Sequence, residues 1–560
     1  MNLIARGHYH WMALLIACAM AHGAGTAAQS QLPARAAVTP TGGTGQIAGT
    51  ILIDDTGSKA KRARVRLVQI GTRETFSQLT DDQGRFEFRD LGPGRYGLSA
   101  TKGGFVPTQF GQRRASLPGT PNELTDGRRL TGMNIRMTPG STIDGRVFDE
   151  TGEPAVDALV MTLKAQYVGG QKRVAAVGRV LTTNEKGEFH LFGLPAGTYY
   201  LSATQLTGPS AGDAASREGY APTYYPGTID LGTAETVTIG EGEQRTAIDV
   251  ILALVRTVNV SGTARDSEGR LFGSGTVTIT NTSSGIPIPI ATAPLGADGS
   301  FKIANVPPGR FTLNASSSVS PATGGMRDSA TQALNVTGAD VNGIVLASPK
   351  PAMLSGVLER EEAEAELVPP GVQLRAVAAE PGEDLTDVGT VIRTDPNGTF
   401  ANTVRPGVLR LELAGAAPGW YLSRVMLGDK DVTDAGFRLT PNESMDGIRV
   451  MLTKRVTAIT GTTMDEAGRP VTDYAVSVFS KDENHWRYRS RRITAAKADQ
   501  DGRFTVRGLP PGEYLIAAMD YMEQGEGQDP EFLEQLRGNA QSLSIRPAET
   551  TSIKLRLIRR

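Results

Sequence analysis

Asp82-Gln83-Gly84-Arg85-Phe86-Glu87-Phe88, followed by Leu91-Gly92-Pro93-Gly94-Arg95-Tyr96-Gly97-Leu98, is the stretch that decides the fold of this chain. Asp-Gly and its relatives favour turns that need a positive φ, which glycine adopts without steric cost. The alternation of Phe86 with Phe88, and of Tyr96 with Leu98, describes two strands that each bury one face. The Pro-Gly element between them predicts a reversal of the chain, and the pair reads as an antiparallel hairpin.

The block recurs. Gly187-Glu188-Phe189 precedes Leu194-Pro195-Ala196-Gly197-Thr198-Tyr199, and Asp298-Gly299-Ser300-Phe301 precedes Val306-Pro307-Pro308-Gly309-Arg310-Phe311. Asn397-Gly398-Thr399-Phe400 precedes Pro406-Gly407-Val408-Leu409, and Asp501-Gly502-Arg503-Phe504 precedes Leu509-Pro510-Pro511-Gly512-Glu513-Tyr514. The first glycines stand 103, 112, 99 and 104 residues apart, so the chain repeats one unit five times. Each copy opens on a strand containing a glycine, such as Ile143-Asp144-Gly145-Arg146-Val147 or Ile459-Thr460-Gly461-Thr462. Each closes on an alternating strand, such as Ile135/Met137, Ile248/Val250, Ile448/Val450 or Ile553/Leu555. About seven short strands per roughly 100 residues describe a sandwich.

The expected fold is therefore all-β, a tandem array of about five antiparallel β-sandwich domains, with one short helix in the last. The domains are expected at residues 46–139, 140–254, 255–349, 350–454 and 455–560, strung like beads. Their linkers are expected near 139–141, 254–256, 348–352 and 453–456. The helix is read from Asp529 as N-cap, Pro530 at N1 and Gly538 as a stop, and is expected to be a surface insertion.

Residues 1–28 read as a secretory signal peptide. Arg6 precedes an apolar run from Trp11 to Ala21, and Thr26-Ala27-Ala28 offers a cleavage site before Gln29. That run is too short to span a bilayer, and no later segment offers a transmembrane stretch. Residues 29–45 read as a flexible linker. Leu15-Ile16-Ala17-Cys18 offers Cys18 as a candidate lipidation site, against an incidental cysteine in a removed segment. Either outcome places the mature chain outside the cytoplasm, in the periplasm, at the cell surface or secreted, tethered at most by lipid.

Composition narrows the function. Lys+Arg total 58 against 59 for Asp+Glu, a net charge of −1, which disfavours nucleic acid as a partner. The single cysteine excludes a disulfide framework and a cysteine zinc site. The 66 glycines in 560 residues fit a turn-rich modular chain.

The succession of G-x-hydrophobic, D-x-x-G-x-F and L-P-x-G-x-Y resembles the carboxypeptidase regulatory-like domain. That resemblance implies a transthyretin-like or CnaB-like sandwich, close to the starch-binding-like fold. It implies little about activity, because one fold hosts many functions. His190 and His485 begin no H-x-x-E zinc pair, so peptidase chemistry is not expected. The opening strands carry no lysine for a CnaB-type isopeptide bond. Asp81-Asp82-Gln83-Gly84 and Asp499-Gln500-Asp501-Gly502 read as turns rather than calcium loops, since no chelating glutamate follows at the required place. No catalytic residue, metal or cofactor is expected, and the chain is read as a non-enzyme.

Two aromatic clusters stand out as candidate ligand sites. Tyr220, Tyr224 and Tyr225 sit in a Pro/Gly loop, echoed by Phe105 and Phe110 in the first copy. They stack on sugar faces if exposed, or cap the sandwich if buried. His485-Trp486-Arg487-Tyr488-Arg489-Ser490-Arg491-Arg492, read as a strand, lines Arg487, Arg489 and Arg491 on one face. Such a ladder suits an anionic glycan, or is a solvated face above a buried Trp486. Glu359 to Glu366 reads as an exposed acidic loop or short helix. The leading expectation is an exported, non-catalytic binding protein with carbohydrate as ligand. The alternatives are a structural stalk or adhesion array at the cell surface, and an accessory module for a separate peptidase or outer-membrane transporter. A glycan or a cell-surface protein is the expected partner.

Overall fold

A computed structural model describes residues 43–54, 56–70, 74–115, 117–168, 170–205, 217–281, 288–318, 328–362, 368–369, 371–380, 389–414 and 419–560. The signal-peptide reading and Cys18 lie outside these residues. Five sandwiches follow one another, each built from the repeated strand plan.

The opening strands are Gly45–Ile53, Ser141–Phe148, Val258–Arg265, Ala352–Arg360 and Ala458–Met464. Each pairs antiparallel with the strand that carries the block's phenylalanine and parallel with the strand that closes the unit. The register is the same in all five. Gly49, Gly145, Gly262, Gly356 and Gly461 stand opposite Phe86, Phe189, Phe301, Phe400 and Phe504. A β-carbon on any of these glycines would sit 1.9–2.2 Å from the carbonyl oxygen of the closing segment. In the second, fourth and fifth units it would also meet the phenylalanine ring at 2.7–2.9 Å. Glycine is thus the residue that lets three backbones and a buried ring converge. The turn glycines ahead of the rings, Gly84, Gly187, Gly299, Gly398 and Gly502, all have φ between 67° and 82°.

The expected hairpin is not one. Arg85–Leu91 belongs to the sheet of the opening strand, whereas Gly94–Thr101 pairs with Arg64–Gln69 in the facing sheet. The Pro-Gly element therefore carries the chain across the sandwich instead of along one sheet. Both strands still bury one alternating face, so Phe86, Phe88, Tyr96 and Leu98 share a core. In the first, second and fifth units the buried tyrosine fastens this crossing. Tyr96, Tyr199 and Tyr514 donate their hydroxyls to the carbonyls of Gly92, Pro195 and Pro510, at 2.8, 2.6 and 2.6 Å.

Burial pushes the Tyr199 hydroxyl up to about 12 from its ordinary 10.0, so the folded state holds the proton where the unfolded state releases it. This contribution is intact below about pH 10 and is lost as pH rises towards 12. Replacing the corresponding tyrosine of the fifth unit, Tyr514→Phe, leaves the Pro510 carbonyl without its donor and should cost about 1–3 kcal/mol. Thermal scans of Tyr514→Phe at neutral pH, and of the parent protein from pH 9 to 12, check both expectations. Unchanged melting in either series contradicts the assignment.

The helix runs Pro530–Arg537, with the Asp529 carboxylate accepting the Glu531 amide. It is not a surface insertion. Phe532, Leu533 and Leu536 are buried against Phe479, Leu515 and Met519, on the outer face of a strand buried along its whole length, Ala475–Ser480. The run 475–479, interrupted only by the buried Ser477, and the unbroken run 514–519 reflect burial on both faces, in place of the alternation of a one-faced strand. Gly538 has φ −67°, so the helix stops without a left-handed cap.

The units are also not beads. Leu254–Arg256, expected as a linker, is a strand paired with Glu218–Tyr220. The fifth sandwich folds back on the first. Lys497 donates to the carbonyls of Gly111 and Pro118 at 3.0 and 2.9 Å, and Arg113 pairs with Asp473. Arg128 meets Asp501 at 3.3 Å, and the Glu123 amide donates to the Gln500 side chain at 3.1 Å. The fifth unit touches the second as well, where Gly525 lies against Tyr167 and Gly170 against Gln528. Against the fourth, Asp434 takes Arg491 and Arg492, at 2.6 and 3.1 Å. Burial opposes ionisation of Asp434, but the two guanidinium groups outweigh it and hold its carboxyl below the usual range.

Candidate functional site

The tyrosine loop is built into the second sandwich. Tyr224 is 5% exposed, pairs with Ser202 across the sheet and packs beside Met161 and Leu163. Tyr225 is half-buried against the main core, and its amide donates to the Leu201 carbonyl at 3.0 Å. The half-buried Tyr220 donates its hydroxyl to Glu150 at 2.6 Å. Burial, and then that carboxylate, push its ionisation far up. The three rings form no exposed row. Phe105 and Phe110, the echo in the first unit, likewise pack partly against its core.

The second cluster is not a strand. Glu483–His485 is a single 3-10 turn and the following residues form turns, so no ladder of Arg487, Arg489 and Arg491 exists. Trp486 donates its indole N–H to the Ser480 carbonyl at 2.8 Å, meets Phe479 edge-on and lies under Arg537 at 5.0 Å. The Arg487 side chain donates to the Asn484 carbonyl, and the Tyr488 carbonyl accepts from Arg410 at 3.4 Å. Arg491 leaves the segment for Asp434 in the fourth unit. Alternation failed here because an Asp482 cap starts a helical turn, a signal visible as Asp-x-x-His.

Glu359 and Glu361 are paired with Arg449 and Arg424, so this part of the acidic run is a fastening and not a free loop; Glu364 and Glu366 lie outside the described residues. The Asp-Gly turns use their own carboxylates: Asp499 accepts the amides of Asp501 and Arg503 at 2.9 Å, and Asp81 those of Gln83 and Arg85. Among the described residues, no group of three His, Cys, Asp or Glu is placed to hold a metal.

Two hollows gather ionisable groups. A shallow one of about 520 Å³ contains His190, whose Nδ1 meets Asp144, with Arg146, Glu188 and Asp249 around them. Its lining includes no Ser, Thr or Cys, and Asp144 is already engaged by Gln244 and Thr142. The larger, about 1310 Å³, lies where the first, second and fifth sandwiches meet. Arg62, Arg64 and Lys102 come from the first unit, Lys164 and Arg179 from the second, and Glu523 from the fifth. Sequence reading missed this cleft because its residues are scattered over many separate segments without a shared motif.

The geometry can be set beside known proteins. Residues 46–138 and 142–252 match the model of the carboxypeptidase regulatory-like domain. These two units are similar to that family. The match to the carboxypeptidase regulatory-like domain ends at residue 252, and the later units share its strand plan. No curated protein matches the sequence. Among solved structures, a streptococcal ancillary pilin shares 14% identity, covering 54% of this chain and 99% of its own, at a TM-score of 0.18. Two B repeat units of the collagen binding protein of Staphylococcus aureus share 12%, covering 73% and 100%, at 0.12. A Pseudomonas aeruginosa protein titled as a carbohydrate-binding candidate shares 12%, covering 16% and 88%, at 0.13. Among the described residues, no helix is long and apolar enough to cross a membrane.

Proposed function

We propose that the chain is an exported, non-enzymatic surface scaffold, in which carboxypeptidase regulatory-like sandwiches are fastened together for adhesion or display. The observation that carries this reading is the return of the fifth sandwich onto the first through Lys497, Asp501 and Gln500, and onto the second through Gly525 and Gln528. The aromatic groups that suited a sugar platform are engaged in packing, which favours the scaffold over a tyrosine-loop lectin. Folding back shortens the reach expected of a stalk, so rigidity rather than length is the property on offer.

The reading is tested on intact parent cells with a membrane-impermeant biotin reagent and with beads coated in purified full-length protein. The protein should be labelled, and coated beads should adhere to cells. Beads carrying Lys497→Glu/Asp501→Arg, which releases the fifth unit, should adhere several-fold less. Protection from label in a cytoplasmic fraction, or equal adhesion by both proteins, contradicts the proposal.

A further inference from the structure

The cleft between the first, second and fifth sandwiches gathers cations from two of its walls. The whole protein carries a net charge of −1, yet five cations line this one hollow against a single carboxylate, Glu523. Several arginines elsewhere are matched: Arg146 with Glu188, Arg217 with Asp340, Arg424 with Glu361 and Arg449 with Glu359. In the cleft, Lys102 donates to the Lys61 carbonyl at 3.0 Å, Lys164 lies over Tyr199 at 5.5 Å and Arg179 over Phe192 at 5.5 Å. Among the described residues none of the five cations is within ion-pairing distance of a carboxylate. Like charges held together without counterions repel one another, and a bound anion relieves that repulsion.

We propose that this cleft binds a segment of acidic polysaccharide. Guanidinium forks recognise sulfate and carboxylate alike, and the half-buried ring of Tyr167 lines the cleft as a surface against which a sugar ring stacks. The volume, about 1310 Å³, exceeds the roughly 300–1,000 Å³ usual for small-molecule sites and suits several residues of a chain. An extended acidic peptide would instead add a strand to the free edge of Gln171–Thr182. That edge is broken where it meets the cleft, by Gly178 at φ 78° opposite a shift of register between Val160 and Thr162. This site is separate from the tyrosine loop, and its existence does not depend on the scaffold reading.

Titration of the full-length protein with a heparin-derived hexasaccharide, hexagalacturonate, maltohexaose and hexaglutamate tests the proposal. The variant Arg64→Ala/Arg179→Ala removes one exposed cation from each wall, and its thermal scan should match the parent. One or both acidic hexasaccharides should bind, weaken at about 0.3 M salt and lose roughly tenfold or more in affinity in the variant. Which of the two binds identifies sulfate or carboxylate as the group recognised. Tighter binding of hexaglutamate than of either glycan overturns the assignment in favour of a peptide. Equal binding of maltohexaose, equal affinity of parent and variant, or no binding of any acidic glycan overturns it outright.

Discussion

Replacing Gly356 or Gly461 by valine should unfold the sandwich that contains it. The added β-carbon at Gly356 would stand 2.0 Å from the Ile448 carbonyl oxygen and 2.8 Å from the Phe400 ring. At Gly461 the corresponding approaches are 2.2 Å to Ile553 and 2.7 Å to Phe504. The first obstacle is the backbone of the closing strand inside the sheet, so no rotamer change removes it. The closing strand must separate, or the phenylalanine must leave the core. Either costs about 3 kcal/mol or more, a large share of one domain's stability. Because the units are distinct cores, calorimetry of Gly461→Val should show one transition lost or displaced downwards while others persist. Gly273→Ala, where a β-carbon meets nothing within 4 Å, is the control and should change stability by no more than about 0.5 kcal/mol. Normal melting of Gly461→Val contradicts the register described for all five repeats.

Arg560→Ala should have the next largest effect. Glu526 is 5% exposed and is held by both guanidinium nitrogens of Arg560, at 2.9 and 3.0 Å. The same guanidinium covers the Phe532 ring at 4.6 Å and the Tyr521 ring at 5.2 Å. Losing one partner of a buried pair strands the other, and the ring contacts go with it. The expected loss is about 3 kcal/mol. Arg560→Ala/Glu526→Gln should recover part of it, because a buried amide is less costly than an unpaired carboxylate. The damage should be local first. Amides of residues 523–529, which lie against Tyr167 and Gly170 of the second unit, should lose exchange protection before the fifth core does. Unaltered protection there contradicts the clasp.

The repeat was legible because its chemistry is local. A turn that needs glycine, a phenylalanine two residues on and a Pro-Gly reversal recur whatever the distant contacts are. Strand partnership was not legible in the same way. The alternation at Phe86/Phe88 and Tyr96/Leu98 is identical whether the Pro-Gly element closes a hairpin or crosses between sheets, since both bury one face. The helix was readable in its caps, but its role lay in a different signal, the largely apolar stretches 475–479 and 514–519, buried on both faces.

The fold-back left almost no trace in the sequence. Lys497 ends a strand and Gln500 and Asp501 sit in the repeat turn after it, where polar residues are expected for solubility, and their partners are close to 400 positions away. The cleft has the same origin, assembled from cations on separate strands and turns. The tyrosine loop and Trp486 were conspicuous for the opposite reason. Aromatic residues in Pro/Gly-rich segments attract notice equally as platforms and as caps, and only burial separates the two. Here Tyr224 at 5% exposure separates them.

The most direct test of the fastened scaffold is a crosslink between its first and last sandwiches. In a Cys18→Ser background, Glu123→Cys/Gln500→Cys should react with a short bis-maleimide to give an intramolecular loop in high yield. The product should migrate as a monomer with altered mobility, at low protein concentration and in the full-length chain. Crosslinks that form only between separate chains, or thiols that both react singly, would mean that the fifth sandwich does not return to the first.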